Sequence, residues 1–243
     1  MTEKPTTEYH FPTIGIVHSC FAEKFGIPRQ PGLAPAARAV VEILPPYNNP
    51  AAFDGLQDCS HIWLQFVFHQ SLEHQWRPRV RPPRLGGNRK LGVFATRSPV
   101  RPAAIGLSVV RLLALECSAD GVRLTVSGAD LVDGTPVLDI KPYVPYVDRV
   151  EDAVTGFADE PPPQLPVHFA ADAQQQLQEL DNGETLRQLI VEVLQQDPRP
   201  SYQATDPERR YGMKLDGVDV HWRYRQSANG DEIVVTGIQV LAP

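Results

Sequence analysis

Arginine is concentrated in one part of this sequence, and there it alternates with proline. Between Arg77 and Arg101 stand eight basic side chains (Arg77, Arg79, Arg81, Arg84, Arg89, Lys90, Arg97 and Arg101) and no acidic one. A guanidinium is a planar fork of donors that matches phosphate oxygens two at a time. One reading is therefore a phosphate-binding tract. The other is a solvated loop whose arginines pair with an acidic surface. All 29 acidic residues lie outside the tract, and the net charge is −6. A basic tract on an acidic body recruits a polyanion locally while the whole chain stays soluble.

Three further patches place polar side chains between prolines. They are Phe25-Gly26-Ile27-Pro28-Arg29-Gln30-Pro31-Gly32, the run from Ala95 to Leu107 with Arg97 and Arg101, and Leu138-Asp139-Ile140-Lys141-Pro142-Tyr143. Each falls at the end of a β-favouring run, and stiff loops at strand ends are where barrels build ligand sites. One such patch alone is a stiffened turn with a surface arginine. His61, His69 and His74 make only an unspecific metal reading. There is no phosphate-binding glycine loop, no Gly-x-Gly-x-x-Gly after a strand, no Gly-x-Ser-x-Gly and no His-Glu-x-x-His, which removes the common nucleotide-fold and hydrolase readings.

The elements that must hold these patches are mostly strands. Thr13 to Val17, Val40 to Leu44, Ile62 to Phe68, Ile105 to Glu116, Val122 to Ser127 and Val137 to Ile140 are short β-favouring runs separated by Gly and Pro. Ile62 to Phe68 is apolar on both faces, which predicts a central strand. Ile105 to Glu116 is long enough to need a bend. Asp120-Gly121 predicts a hairpin. With almost no helix in this part, the pattern predicts an antiparallel barrel or sandwich. Arg77 to Gly87 is excluded from helix by its prolines and glycines and reads as an extended, mobile loop. Glu160 to Pro166 is a proline-rich linker. Beyond it, Ala170 to Leu180 and Thr185 to Gln196 are helical, and Val218 to Tyr224 and Ile233 to Leu241 are strands. The predicted division is residues 1–160, a β-barrel, and 161–243, a small α+β domain.

The chain has 243 residues, of which 42% are apolar and 21% charged, which is ordinary globular composition. Its 24 prolines, close to double the usual ~5% share, argue against long helices. No apolar run reaches the ~18 residues of a membrane helix, and the start, Met1-Thr2-Glu3-Lys4-Pro5, lacks the apolar core of a signal peptide. Cys20, Cys59 and Cys117 have neither metal nor disulfide spacing, which suits a reducing cytoplasm.

At the three patches, and at His61-Ile62-Trp63-Leu64, Phe94-Ala95-Thr96-Arg97-Ser98-Pro99, Gly128-Ala129-Asp130 and Asp133-Gly134-Thr135-Pro136, the sequence resembles the TsaA-like proteins. The likeness runs from about Thr13 to Tyr146. It continues in the second part at Asp197-Pro198-Arg199-Pro200 and Tyr211-Gly212-Met213. Pro102-Ala103-Ala104 departs from the family's Pro-Asn-Pro. The resemblance implies a single-sheeted antiparallel β-barrel that binds S-adenosyl-L-methionine without a Rossmann fold. It implies methylation of N6 of threonylcarbamoyl-adenosine at position 37 of threonine tRNA, beside the anticodon, by a homodimer with the cofactor near the subunit contact. It implies cofactor contacts at Pro28, Arg29, Gln30, His69, Gln70, Arg97, Leu107, Leu138, Asp139, Ile140 and Lys141.

Under that reading the acceptor nitrogen needs a base, first Asp139 and second His69. Arg29 or Arg97 would hold the cofactor carboxylate. Arg77, Arg79, Arg81, Arg84, Arg89 and Lys90 would clamp the anticodon stem-loop through its phosphates. Lys141 and Tyr143 would meet the threonyl carboxylate and stack on the base, or simply form an ion pair and a packed ring. Arg209, Arg210, Lys214, His221, Arg223 and Arg225, around Trp222 and Tyr224, would add RNA contacts, or the second domain serves as scaffold or dimer contact. A non-catalytic RNA adaptor and a methyltransferase on another acceptor both remain open. No membrane and no metal is expected.

Overall fold

The computed structural model describes residues 9–85, 89–199, 203, 205–228 and 230–241. The amino-terminal pentapeptide discussed above, Gly86 and Gly87 of the arginine-rich stretch, and Pro200 lie outside them, as does the side chain of Arg84.

Eight strands precede the linker: β1 (Gly15–Ser19), β2 (Arg38–Ile43), β3 (His61–Val67), β4 (Arg79–Val80), β5 (Leu91–Gly92), β6 (Ile105–Ser118), β7 (Gly121–Ser127) and β8 (Thr135–Pro142). Six of them close into an antiparallel barrel in the order β1-β2-β7-β6-β3-β8. Period-two alternation puts one set of side chains inside. Val17, Val41, Ile62, Leu64, Leu124, Val126 and Val137 form the interior. β3 lies between β6 and β8, the central place its two apolar faces predict. Its outer face is partly covered: Tyr143 leans on Trp63 with ring centroids 6.0 Å apart. The indole Nε1 of Trp63 donates to Asp148 at 3.0 Å. Asp148 ends the short helix α1 (Pro145–Asp148).

The bend expected in β6 is a bulge at Leu112–Ala114, where its pairing with β7 shifts register. The hairpin at Asp120-Gly121 is present, with Gly121 at φ 132°, a value that costs other residues strain. The arginine-rich stretch differs from a plain extended loop. β4 and β5 pair as a small ribbon, Arg79 opposite Gly92 and Val80 opposite Leu91, and Pro83–Leu85 make one 3-10 turn. A single turn opening on proline needs no donor from that nitrogen, so the ring is compatible with it.

After the linker come β9 (Val167–Phe169), α2 (Ala171–Gln178), α3 (Gly183–Leu194), β10 (Tyr211–Leu215), β11 (Val218–Ser227) and β12 (Gly230–Val240). The sheet order is β10-β11-β12-β9, with β9 parallel to β12. β9 and β10 carry no strong strand signal. The first has three residues. The second, Tyr-Gly-Met-Lys-Leu, contains a glycine, and is recruited by pairing with β11. The α2 and α3 apolar faces cover this sheet, with Leu186, Leu189, Ile190, Val193 and Leu194 all buried.

The second core also takes residues from the first part of the chain. Phe21, Ala34 and Ala37 are buried in it, with Phe25 and Ile27 packed against it. The segment leaving β1 bridges Phe21 to Leu215, and Phe25 stacks on Trp222 at 6.0 Å and 8° between ring planes. Glu192 accepts from the Ala36 amide at 2.6 Å. Trp222 is 0% exposed, and its far side meets Tyr211 at 5.7 Å. Replacing it by alanine removes the packing on both faces. Trp222→Ala should cost about 3–5 kcal/mol of unfolding free energy, read by urea denaturation of the full chain.

Candidate functional site

One cleft of about 720 Å³ opens at the rim of the barrel, within the range of small-molecule and cofactor sites. Four loops and the neighbouring ends of β3, β6 and β8 form it. Pro28, Arg29 and Gln30 come from the β1–β2 segment, and His69 and Gln70 from the 3-10 turn after β3. Arg97 and Arg101 come from the loop before β6, and Leu107 from β6 itself. The seven expected contacts Pro28, Arg29, Gln30, His69, Gln70, Arg97 and Leu107 therefore meet in one place, although almost 80 residues separate the first from the last.

The loops are tied to each other across the cleft. Arg97 donates to Gln30 Oε1 at 2.6 Å, and Lys24 Nζ donates to the Gln70 carbonyl at 2.7 Å. Arg101 donates to the Thr96 carbonyl at 3.1 Å. The first two bonds fix the separation of the loops before anything binds, and the third braces one loop within itself. Lys24, Arg29, Arg97 and Arg101 give the lining four cations. Arg29 is exposed, and no hydrogen bond or ion pair engages it among the described residues. Among the described residues, the buried side chains of polar type, Ser71, Ser108 and Thr135, all line the same cleft. Buried polar groups carry a cost that packing alone does not repay, so their gathering here marks the site independently of any motif.

Leu138, Asp139, Ile140 and Lys141 do not line the cleft. They sit on β8, where Asp139 lies opposite Gln65 of β3, and Gln65 lies opposite Leu107 of β6. Directly paired residues share a face, so Leu107, Gln65 and Asp139 form one row on the outside of the barrel, about 5 Å per strand. A bulge at Gln65–Phe66 inserts Leu138 into β8. Asp139 pairs with Lys141 at 2.6 Å and accepts from the Ile140 amide at 2.9 Å. The ion pair and the packed ring considered for Lys141 and Tyr143 are thus both formed. Asp139 and Ile140 also line a second cavity of about 700 Å³ with Tyr47, Asn49, Phe53 and Asp54.

Arg77, Arg79, Arg81, Arg89 and Lys90 are all exposed on and around the β4–β5 ribbon. Arg79 donates to the Lys90 carbonyl at 3.2 Å. In the second part, His221 and Arg223 leave one face of β11 while Val220, Trp222 and Tyr224 leave the other, as the alternation requires. Trp222 and Tyr224 are both 0% exposed, so they do not stack on an RNA base; they are core. Arg225 is paired with Glu232 at 2.5 Å, and Arg209 lies over the Tyr211 ring at 5.2 Å. Arg199, read in sequence only as part of a motif, is nearly buried. It pairs with Asp197 at 3.0 Å and Asp231 at 2.6 Å, and lies 4.1 Å from the Tyr224 ring centroid.

Among the described residues no group of three or more His, Cys, Asp or Glu side chains is placed to hold a metal, and no helix is long and apolar enough to cross a membrane. Cys20, Cys59 and Cys117 are free thiols.

Residues 16–149 match the tRNA-methyltransferase O N-terminal domain, and residues 162–240 match the TrmO C-terminal domain. The chain belongs to the TrmO family. It is 45% identical over 220 residues to the Escherichia coli protein named tRNA (adenine(37)-N6)-methyltransferase, which spans 89% of this chain and 94% of that one. It is 56% identical to a Pseudomonas aeruginosa protein, RcsF, provisionally named an S-adenosylmethionine-dependent methyltransferase, across 87% of this chain and 90% of the other. A TrmO crystal structure from Pseudomonas aeruginosa superimposes with a TM-score of 0.78 at 47% identity, covering 96% of this chain and 98% of that one. TrmO membership accounts for the barrel, the small α+β part and the absence of a nucleotide fold.

Sequence reasoning assigned no cofactor contact to Lys24, Arg101, Ser108, Thr135 or Asp130, which all line the cleft. Asp130 stood inside a recognised motif, but nothing in the sequence says that the β7–β8 loop folds back over the Arg29 loop. The glycines at that contact, Gly32 and Gly128, are the available signal. A second glycine contact joins the same loop to the other part of the chain. Gly26 has φ 86°, and a Cβ there would lie 2.5 Å from Met213 Sδ, so the cofactor-loop motif rests directly on the Tyr211-Gly212-Met213 motif of this TrmO chain. Gly26→Ala should lower stability by about 1–2 kcal/mol from the left-handed backbone alone. Met213→Ala in the same chain should relieve the contact and leave that part of the loss, as read from paired denaturant midpoints.

Proposed function

We propose that this chain methylates N6 of threonylcarbamoyl-adenosine at position 37 of threonine tRNA, using S-adenosyl-L-methionine, as a cytoplasmic homodimer. The observation that carries the reading is the rim cleft, in which seven residues expected to contact the cofactor converge from three loops and β6. The activity is the one named for the Escherichia coli relative, which matches nearly the full chain.

The chemistry of the lining fits the cofactor. A methionyl carboxylate needs a cation, and Arg29 is exposed and unengaged among the described residues while Arg97 already bridges to Gln30. An adenine ring needs apolar walls, which Leu107, Ile105 and Phe66 provide. When bound, the cofactor supplies an electrophilic methyl group on a positively charged sulfur. The rest of the task falls to the protein. The acceptor nitrogen is a weak nucleophile, its lone pair being delocalised into the purine and the carbamoyl group, so alignment of donor and acceptor dominates. The interloop hydrogen bonds provide that alignment by holding Gln30, Arg97 and Gln70 at fixed separations.

Leu138, Asp139, Ile140 and Lys141 complete the site on the outer face, in the row that continues from Leu107 through Gln65. Asp139 takes the N6 proton, and Lys141, 2.6 Å away, stabilises its carboxylate between turnovers. His69, inside the cleft, is the second candidate for that role. Ile105, Leu107 and Leu113 of β6 are exposed large apolar residues on the outside of the barrel. A second copy covering this face excludes water from the row and places the cofactor near the subunit contact. Residues 1–160 then carry the chemistry, and 161–243 brace the Arg29 loop.

The exposed basic ribbon contacts the anticodon stem through phosphates and reads little sequence. Transfer of labelled methyl to tRNA from cells lacking this protein should place the label on the threonylcarbamoyl-adenosine of position 37. A chain with Arg77, Arg79 and Arg81 changed to Gln should bind that tRNA with a salt dependence shallower by about 3 in the slope of log K against log salt. Label in another nucleoside, or an unchanged slope, would overturn the respective assignment. Asp139→Asn should lower turnover by about 100-fold or more in single-turnover assays at saturating cofactor. Unchanged turnover would pass the role to His69.

A further inference from the structure

The cleft is lined by four cations and one carboxylate, and the reading above gives the carboxylate no task. That carboxylate is Asp130, on the loop between β7 and β8. Its position is fixed from both sides. Gly128, at φ 73°, accepts from the Gly32 amide at 2.8 Å and donates to the Ala37 carbonyl at 2.9 Å. A Cβ at Gly128 would stand 3.2 Å from the Gly32 Cα, so the two loops touch backbone to backbone. Ala129 and Leu131, on either side of Asp130, are buried. Asp130 is half-buried between them and its open side is the cleft. From β6, Ser108 Oγ donates to Asp130 Oδ1 at 2.6 Å. Ser108 is 1% exposed; its side chain points into the end of the barrel and spends its hydroxyl on this one contact.

Among the described residues Asp130 forms no ion pair, although Lys24, Arg29, Arg97 and Arg101 line the same cleft. Arg97 influences it from a distance but is hydrogen-bonded to Gln30. A half-buried carboxylate with no ion pair is costly unless a cation arrives. S-adenosylmethionine is such a cation: its one carboxylate leaves a sulfonium and an ammonium to be matched.

We propose that Asp130, held by Ser108, is the binding residue for the positive charge of the cofactor, and that cofactor binding therefore releases a proton below neutral pH. This rests on the S-adenosylmethionine reading of the cleft. Burial pushes the Asp130 carboxyl up to about 6, and the Ser108 hydrogen bond opposes that rise. The sign follows directly. Below about pH 6 the carboxyl of the free protein is protonated and must ionise before it can pair with the ligand. Affinity is therefore full above that pH and falls by about tenfold for each unit below it. The reverse linkage acts on folding: a carboxyl whose proton is held more tightly in the folded chain loses stability as pH rises toward that value, so Asn at this position should not lower the melting temperature at neutral pH. Besides the four cations, His69 faces the same cleft.

The test is calorimetric binding of S-adenosylmethionine to the full chain at pH 5.0 and 7.5, beside Asp130→Asn and Ser108→Ala. For the unaltered chain, affinity should fall about tenfold at the lower pH. Asp130→Asn, folded by circular dichroism, should bind at least tenfold more weakly at pH 7.5 and lose most of the pH dependence. Ser108→Ala should move the limb to higher pH, because it removes the bond that favours the ionised form. If Asp130→Asn does not fold, the Ser108→Ala shift decides alone. Unchanged affinity in Asp130→Asn, or an unmoved limb in Ser108→Ala, overturns this assignment and leaves the cofactor reading intact. Failure of the unaltered chain to bind at pH 7.5 overturns both.

Discussion

The site depends on two aromatic rings that leave their own domain. Phe21 and Phe25 follow directly on a barrel strand, yet they are packed on the second core, against Leu215 and Trp222. Each ring buries on the order of 150–250 Å² in such a setting. That burial holds the segment between β1 and β2 out from the barrel rim at a fixed height. Pro28, Arg29 and Gln30 are the part of the segment that faces back. The cleft wall is thus hung between two hydrophobic cores, and the α+β part contributes to the site without lining it.

Once that wall is fixed, the polar contacts across the rim become inexpensive. A long arginine side chain normally loses rotamer freedom when it is tied down. Here Arg97 and Lys24 are tied to loops that are themselves immobilised, so the ordering is done largely on folding and not on ligand binding. The same logic applies to Ser108 and Asp130. A buried hydroxyl and a half-buried carboxylate are tolerated at the open end of the barrel, where the hydrophobic core below is aliphatic and aromatic.

The outer face of the barrel carries the second half of the proposed site. Sheet register links Leu107 in the cleft to Asp139 two strands away, and the bulge in β8 lets Val137 and Ile140 both turn inward while Leu138 and Asp139 stay outside. Without the inserted residue, a one-residue slip would exchange the faces, and Asp139 would enter the core.

Much of this was legible in the sequence. Period-two runs with Gly and Pro between them determine six barrel strands, because alternation and turn chemistry are local. The helices α2 and α3 follow from their apolar stripe, and the exposure of the arginine tract follows from its charge and prolines. The motif residues from Pro28 to Leu107 were identifiable as a set. Other features were decided by tertiary structure alone. β9 and β10 become strands only because longer neighbours pair with them. Trp222 and Tyr224, which in sequence stand among basic residues read as RNA contacts, are core because their face of β11 is covered by α3 and Phe25. The separation of Leu138–Lys141 from the cleft is a matter of barrel closure and register, which no local pattern encodes. Asp130 is chemically ordinary in sequence. It becomes distinctive only where the β7–β8 loop meets the Arg29 loop, since the surroundings that perturb a carboxylate are supplied by residues distant in the chain.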